Sequence, residues 1–218
     1  MLLEFLAGRV GLAELLSWLV AVMIAITVHE FSHAKAADMA GDLTPRLHGR
    51  VTLNPLAHYD PIGSTMFLVL GFGWAKPVPI NPFAMRHPRR DAVLVSLWGP
   101  LSNLITACVL AIPLRLDLAG VYTPVLAFIV FANLVLAFFN LIPISPLDGS
   151  HILEGLLSVR ANQRLSAFYQ RNRQWLLILF LLVFFVGPLR GLVFGIILVP
   201  VHLLFGLLAG PGAAGIGF

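Results

Sequence analysis

Charge is scarce in this chain. Only 11% of its 218 residues are Asp, Glu, Lys or Arg. An ordinary soluble domain carries about 25%. That shortage excludes a water-soluble protein and leaves no stretch for a large soluble domain. Cysteine is nearly absent. Cys108 stands alone in an apolar segment, so no intramolecular disulfide can form and no redox compartment is indicated. A cleaved signal peptide is also missing from the pattern. Glu4 precedes the first basic residue, and the first apolar run is short. What fills the chain instead is apolar: 59% of residues are hydrophobic, and the mean hydropathy is +0.92. This is the composition of an integral membrane protein.

A spanning helix needs about 20 mostly apolar residues. The pattern predicts spans over 11–37, 92–114 and 121–144. A further apolar region, 175–209, is interrupted by Gly187, Pro188, Arg190, Gly191 and Pro200. It is too long for one upright span, so two short helices folded as a hairpin are expected there. Between the first two spans, 62–74 is apolar but too short to cross. Pro77, Pro79 and Pro82 follow it and favour extended backbone. A membrane-associated β-hairpin or re-entrant segment is therefore expected over 62–82. Such backbone must be covered by protein or line a wet cavity. The fold class is an all-α polytopic membrane protein, a transmembrane helix bundle carrying that small segment, in a single domain over 1–218.

The pI of 9.8 does not indicate nucleic acid, because the basic residues are scattered through loops between apolar segments. If the first three spans alternate, 11 of the 14 Lys and Arg residues fall on one side. The positive-inside rule makes that side cytoplasmic.

Set into the first span is His29-Glu30-Phe31-Ser32-His33. Two histidines at i and i+4 share one helix face. Neutral imidazoles there can hold one zinc ion, with Glu30 between them as general base. The bland alternative is a pair of helix histidines bonded to neighbours. Residues 15–28 before the motif carry no charge, and an ionisable cluster inside a membrane segment is functional by default. The arrangement points to peptide hydrolysis in or near the bilayer.

A hydrolytic zinc site needs a third protein ligand and one open position. Asp148 is the best candidate, since it follows the third span on the side where the first span ends. Pro146-Leu147-Asp148-Gly149 would also make a good turn with no ligand role. Asn140 could donate to a substrate carbonyl or its oxyanion, or serve as a packing amide. Asn103 carries the same ambiguity, with packing favoured. His151 could orient the site from behind Asp148. His48, His58, His87 and His202 read as surface or structural.

Taken together, these residues resemble the site-2 protease family of intramembrane zinc metalloproteases, in its compact prokaryotic branch. The similarity is carried by His29-Glu30-x-x-His33, Asn140…Pro146-Leu147-Asp148-Gly149 and Gly99-Pro100-x-x-Asn103. Residues 49–55 (GRVTLNP) and 73–82 (GWAKPVPINP) share it. The resemblance implies zinc, one ion per chain, on His29, His33 and Asp148. It implies Glu30 as catalytic base and Asn140 in substrate or transition-state contact. It implies a transmembrane protein substrate, such as a tethered regulator or signal-peptide remnant, with an upstream protease as a further partner. Residues 65–82 would receive the unwound substrate as an added strand. The expected location is a prokaryotic cell membrane with the zinc toward the cytoplasm. No PDZ or CBS domain is expected, and the oligomeric state is not legible. A catalytically inactive metal-binding scaffold is the main alternative, though a binder needs no Glu30. A metal transporter would need more paired carboxylates and histidines along several helices.

Overall fold

A computed structural model describes residues 2–70 and 73–210. In chain order its α-helices are α1 (Leu2–Leu6), α2 (Leu12–Ala40), α3 (Thr44–Leu47), α4 (Pro61–Leu70) and α5 (Pro88–Arg115). They continue with α6 (Thr123–Asn140), α7 (Asp148–Leu156), α8 (Val159–Arg171), α9 (Arg173–Phe185) and α10 (Gly187–Ala209). Four segments are long and apolar enough to cross a membrane: Leu12–Ala40, Pro88–Arg115, Gly120–Asn140 and Gly187–Ala209.

Helix α2 has 29 residues. At 1.5 Å per residue it is about 43 Å long, well beyond a hydrocarbon core of about 30 Å. Its start is capped by Glu14, whose Oε2 accepts from the Gly11 N–H at 2.8 Å. Its end is Gly41, at φ 108°, a left-handed stop that favours glycine. Ala21, Ala25, Ala34 and Ala37 are buried along it. Small residues let neighbouring backbones approach closely. Helices α5 and α6 pack against this face and against each other. A second core lies between α5, α6 and α10, built on Ala107, Ala111, Val130, Leu134, Val201 and Phe205. Apolar residues such as Ile105, Val109, Ile196 and Leu203 stay exposed, as lipid-facing side chains do.

The β-hairpin expected over 62–82 is not found, and no strand occurs among the described residues. Residues 61–70 form α4 instead. The reason lies in Asp60-Pro61. Asp60 Oδ1 accepts from the Gly63 N–H at 2.8 Å, an N-cap, and Pro61 occupies the first helical position. Residues 73–81 run without regular structure. Arg50 holds them: buried, it donates to the carbonyls of Ala57 (2.7 Å), Lys76 (3.1 Å) and Pro77 (3.2 Å). The Lys76 N–H reaches His58 O at 2.9 Å.

The third span is shorter than expected. It stops at Asn140, not 144, because Pro143 and Pro146 cannot extend the hydrogen-bond ladder. In the 175–209 region only α9, at 13 residues, is short; α10 has 23. Pro188 lies in the first turn of α10, where a missing N–H is tolerated, so it starts the helix rather than shortening it.

Candidate metal centre

The i, i+4 spacing on α2 sets both imidazoles on its buried face. His29 and His33 are 5% and 6% exposed. Their Nε2 atoms stand 3.0 Å apart. Each ring is fixed from behind. His33 Nδ1–H donates to Val95 O at 2.8 Å, and His29 Nδ1–H donates to Asn103 Oδ1 at 2.7 Å. With the proton on Nδ1, each Nε2 presents a lone pair. Both acceptors belong to α5, where Pro100 removes a donor from the helix interior. Gly99, one residue earlier, leaves the space into which the imidazoles fit.

Asp148 arrives from the opposite direction as the first residue of α7. Its Oδ2 lies 3.1 Å from His29 Nε2 and 3.2 Å from His33 Nε2. Residues 141–147 make the approach as a tight turn, with a cis Ser145–Pro146 bond and Leu147 N–H on Ile144 O at 2.9 Å. Gly149 packs so closely on the carbonyls of Leu141 and Ile142 that no larger residue fits. At the other end of α7, Arg89 of α5 donates to the carbonyls of Gly155 and Leu157. These groups are the orphan acceptors of a helix C-terminus. The helix that carries Asp148 is thus clamped at both ends.

The three donor atoms form a triangle with edges of 3.0, 3.1 and 3.2 Å. Tetrahedral zinc at bond lengths of about 2.0–2.1 Å would set its ligands about 3.3–3.4 Å apart. Two imidazole nitrogens and one carboxylate oxygen suit zinc, and three ligands leave one of four positions open. The residues present therefore fit the ion. Among the described residues this is the one group of three or more His, Cys, Asp or Glu side chains close enough to hold a metal.

A family model described as "Peptidase family M50" matches residues 115–184. "Putative zinc metalloprotease YwhC" of Bacillus subtilis is 38% identical over 186 residues, covering 80% of this chain and 82% of that protein. The chain belongs to peptidase family M50. "Putative zinc metalloprotease Rip2" of Mycobacterium tuberculosis is 33% identical, covering 80% of this chain and 69% of its own. The Mycolicibacterium smegmatis protein of the same name is 32% identical, covering 70% and 60%. No solved structure matches. The resemblance read from the motifs is therefore a family membership. M50 peptidases are zinc metalloproteases with membrane-spanning helices, which accords with the donor set and with the four long helices.

Glu30 is half-buried and makes no hydrogen bond or ion pair among the described residues. Its carboxylate is uncommitted beside two committed histidines. Asn140 ends α6 and spends an Nδ2 hydrogen on its own helix, at Leu136 O, 3.0 Å away. The structure brings it to the same end of the bundle as Asp148, with no hydrogen bond to the triangle among the described residues. His151 turns outward. It is exposed, and its Nδ1 lies 3.6 Å from Glu154 Oε2 on the same helix. Asn103, favoured above as a packing amide, contacts His29 directly. The signal was present in Gly99-Pro100-x-x-Asn103, but spacing alone does not say which ring it meets 74 residues away.

Proposed function

We propose that this M50 member is an intramembrane endopeptidase that hydrolyses peptide bonds in or near transmembrane segments of other proteins. One observation carries the reading. Three ligand atoms lie within 3.2 Å of one another, and their two histidines sit within a helix long and apolar enough to span. Zinc held by His29, His33 and Asp148 would supply a Lewis acid, bringing the pKa of water toward about 7. Glu30 takes the proton that water gives up as its oxygen attacks the peptide carbonyl carbon. It then delivers that proton to the leaving amine nitrogen as the C–N bond breaks. Val95 O and Asn103 keep the two rings oriented throughout. Asn140 is placed in the proposal as a group near the substrate carbonyl.

The surroundings favour an apolar substrate. A cavity of about 260 Å³ opens beside α2, lined by Ile26, Thr27, Phe67, Leu68, Trp74 and neighbours. Ile26 and Thr27 are within one turn of His29. A substrate helix must unwind there, because its peptide bonds are shielded while helical. The irregular 73–81 segment, held by Arg50, offers backbone to such a chain. The clustering of basic residues supports a site on the cytoplasmic side.

The test is N-terminal sequencing of membrane proteins from a host bacterium lacking its own M50 peptidase. New N-termini inside apolar spans should arise with the wild type and not with Glu30→Gln. Identical N-termini with both forms would defeat the proposal.

A further inference from the structure

The two histidines are fixed by different means. His33 Nδ1 faces a backbone carbonyl, Val95 O, which can only accept. His29 Nδ1 faces a side-chain amide, Asn103, which could in principle present either its oxygen or its NH2. Presented with NH2, the ring would need its lone pair on Nδ1. The proton would then move to Nε2, where it would block the ligand position. Something must decide which way the amide points.

Asn103 is completely buried, and so is Asn133 on α6. Asn103 Nδ2 donates to Ala25 O on α2 at 2.9 Å and to Asn133 Oδ1 at 2.8 Å. Asn133 Nδ2 in turn donates to Ile129 O at 2.8 Å. Both ends of this chain are backbone carbonyls. Ile129 O can only accept, so Asn133 turns its NH2 there and its oxygen toward Asn103. Asn103 then has two acceptors, Asn133 Oδ1 and Ala25 O, for its two N–H bonds. Its own oxygen can only face His29. Reversing either amide would set oxygen against oxygen in a buried site, at a cost no water can relieve.

We infer that Asn133 and Asn103 form a relay of fixed hydrogen-bond direction that sets the tautomer of His29 and so holds its Nε2 lone pair toward the metal position. Asn133 touches neither the triangle nor a substrate. It is a positioning residue on a third helix, and it makes the ligand state of α2 depend on the packing of α5 and α6. The inference rests on the zinc reading proposed above.

The experiment is zinc affinity, measured by competition with a chelator of known strength on full-length protein in detergent. The forms are wild type, Asn103→Leu, Asn133→Leu and Asn133→Asp. Partners behind a ligating histidine are typically worth about 10–100-fold in metal affinity. Both Leu variants should lose affinity on that scale. Asn133→Asp should stay near wild type, because a carboxyl in this buried site takes a proton, donates it to Ile129 O and still accepts from Asn103 Nδ2. A role in stability alone would shift the melting temperature of the metal-free forms and leave the competition unchanged. Should Asn103→Leu fail to fold, Asn133→Leu against Asn133→Asp decides. Wild-type affinity in Asn133→Leu would overturn the relay and leave the zinc reading standing. A wild type that binds no zinc would overturn both.

Discussion

Gly99 of α5 lies directly against the imidazole of His33. A Cβ at Gly99 would sit within 3.0 Å of His33 Nε2 and 2.8 Å from His29 Cε1, closer than real side chains tolerate. Its smallness is therefore part of the site. Gly99→Ala should displace both rings and weaken zinc retention. Overpacking of this kind costs about 1–3 kcal/mol. Metal content after dialysis against a mild chelator reads the effect; wild-type retention would mean α5 shifts instead of the rings.

Glu30→Gln tests the base apart from the ligands. The amide keeps the shape and loses proton acceptance. Zinc content should hold at the wild-type level while turnover falls by about 10²–10⁴. Turnover near wild type would remove Glu30 from the mechanism.

Asp148→Ala removes the donor that α7 contributes. The two histidines remain in place on α2, so the fold should persist, with a melting temperature of the metal-free form close to wild type. Zinc per chain should drop clearly. An unchanged zinc content would put the third ligand elsewhere.

Asn140→Ala separates binding from turnover at the end of α6. The Asn140 amide makes no hydrogen bond with the triangle among the described residues, so zinc affinity should not change. Turnover should fall if Asn140 meets the substrate carbonyl. Loss of zinc with retained turnover per bound zinc would contradict that assignment.

Arg50→Met addresses the 73–81 segment. The arginine donates to three carbonyls, and each buried acceptor left without a partner costs about 1–3 kcal/mol. Hydrogen exchange at the Lys76 amide should speed up as its bond to His58 O loosens. Exchange at the wild-type rate would show that the proline-rich run holds its own shape.

The parts legible in the sequence are those written in local periodicity. Apolar length marked the first three long helices to within a few residues, because lipid forces backbone bonds to close within each span. The spacing of His29 and His33 put both rings on one face before any packing was known. Asp148 was reached by elimination among few carboxylates. The 62–82 region misled for an equally local reason. Its prolines suggested extended backbone throughout, while Asp60-Pro61 already signalled a helix start.

What spacing could not supply is contact across distant segments. Nothing in a one-dimensional pattern pairs His29 with Asn103, or Asn103 with Asn133 thirty residues on. Those bonds exist because alanines on α2 let α5 and α6 close in, and because buried amides must find partners there. His151 shows the converse. Three residues from Asp148 in sequence, it follows the turn of α7 outward to Glu154. The sequence by itself determined that this chain has the composition of a membrane protein and sets two histidines on one helix face with a glutamate between them, since both follow from composition and helical period. Only the tertiary structure decided which helix meets the two rings from behind and which of the remaining polar residues turn inward, since close packing joins groups that the chain keeps far apart.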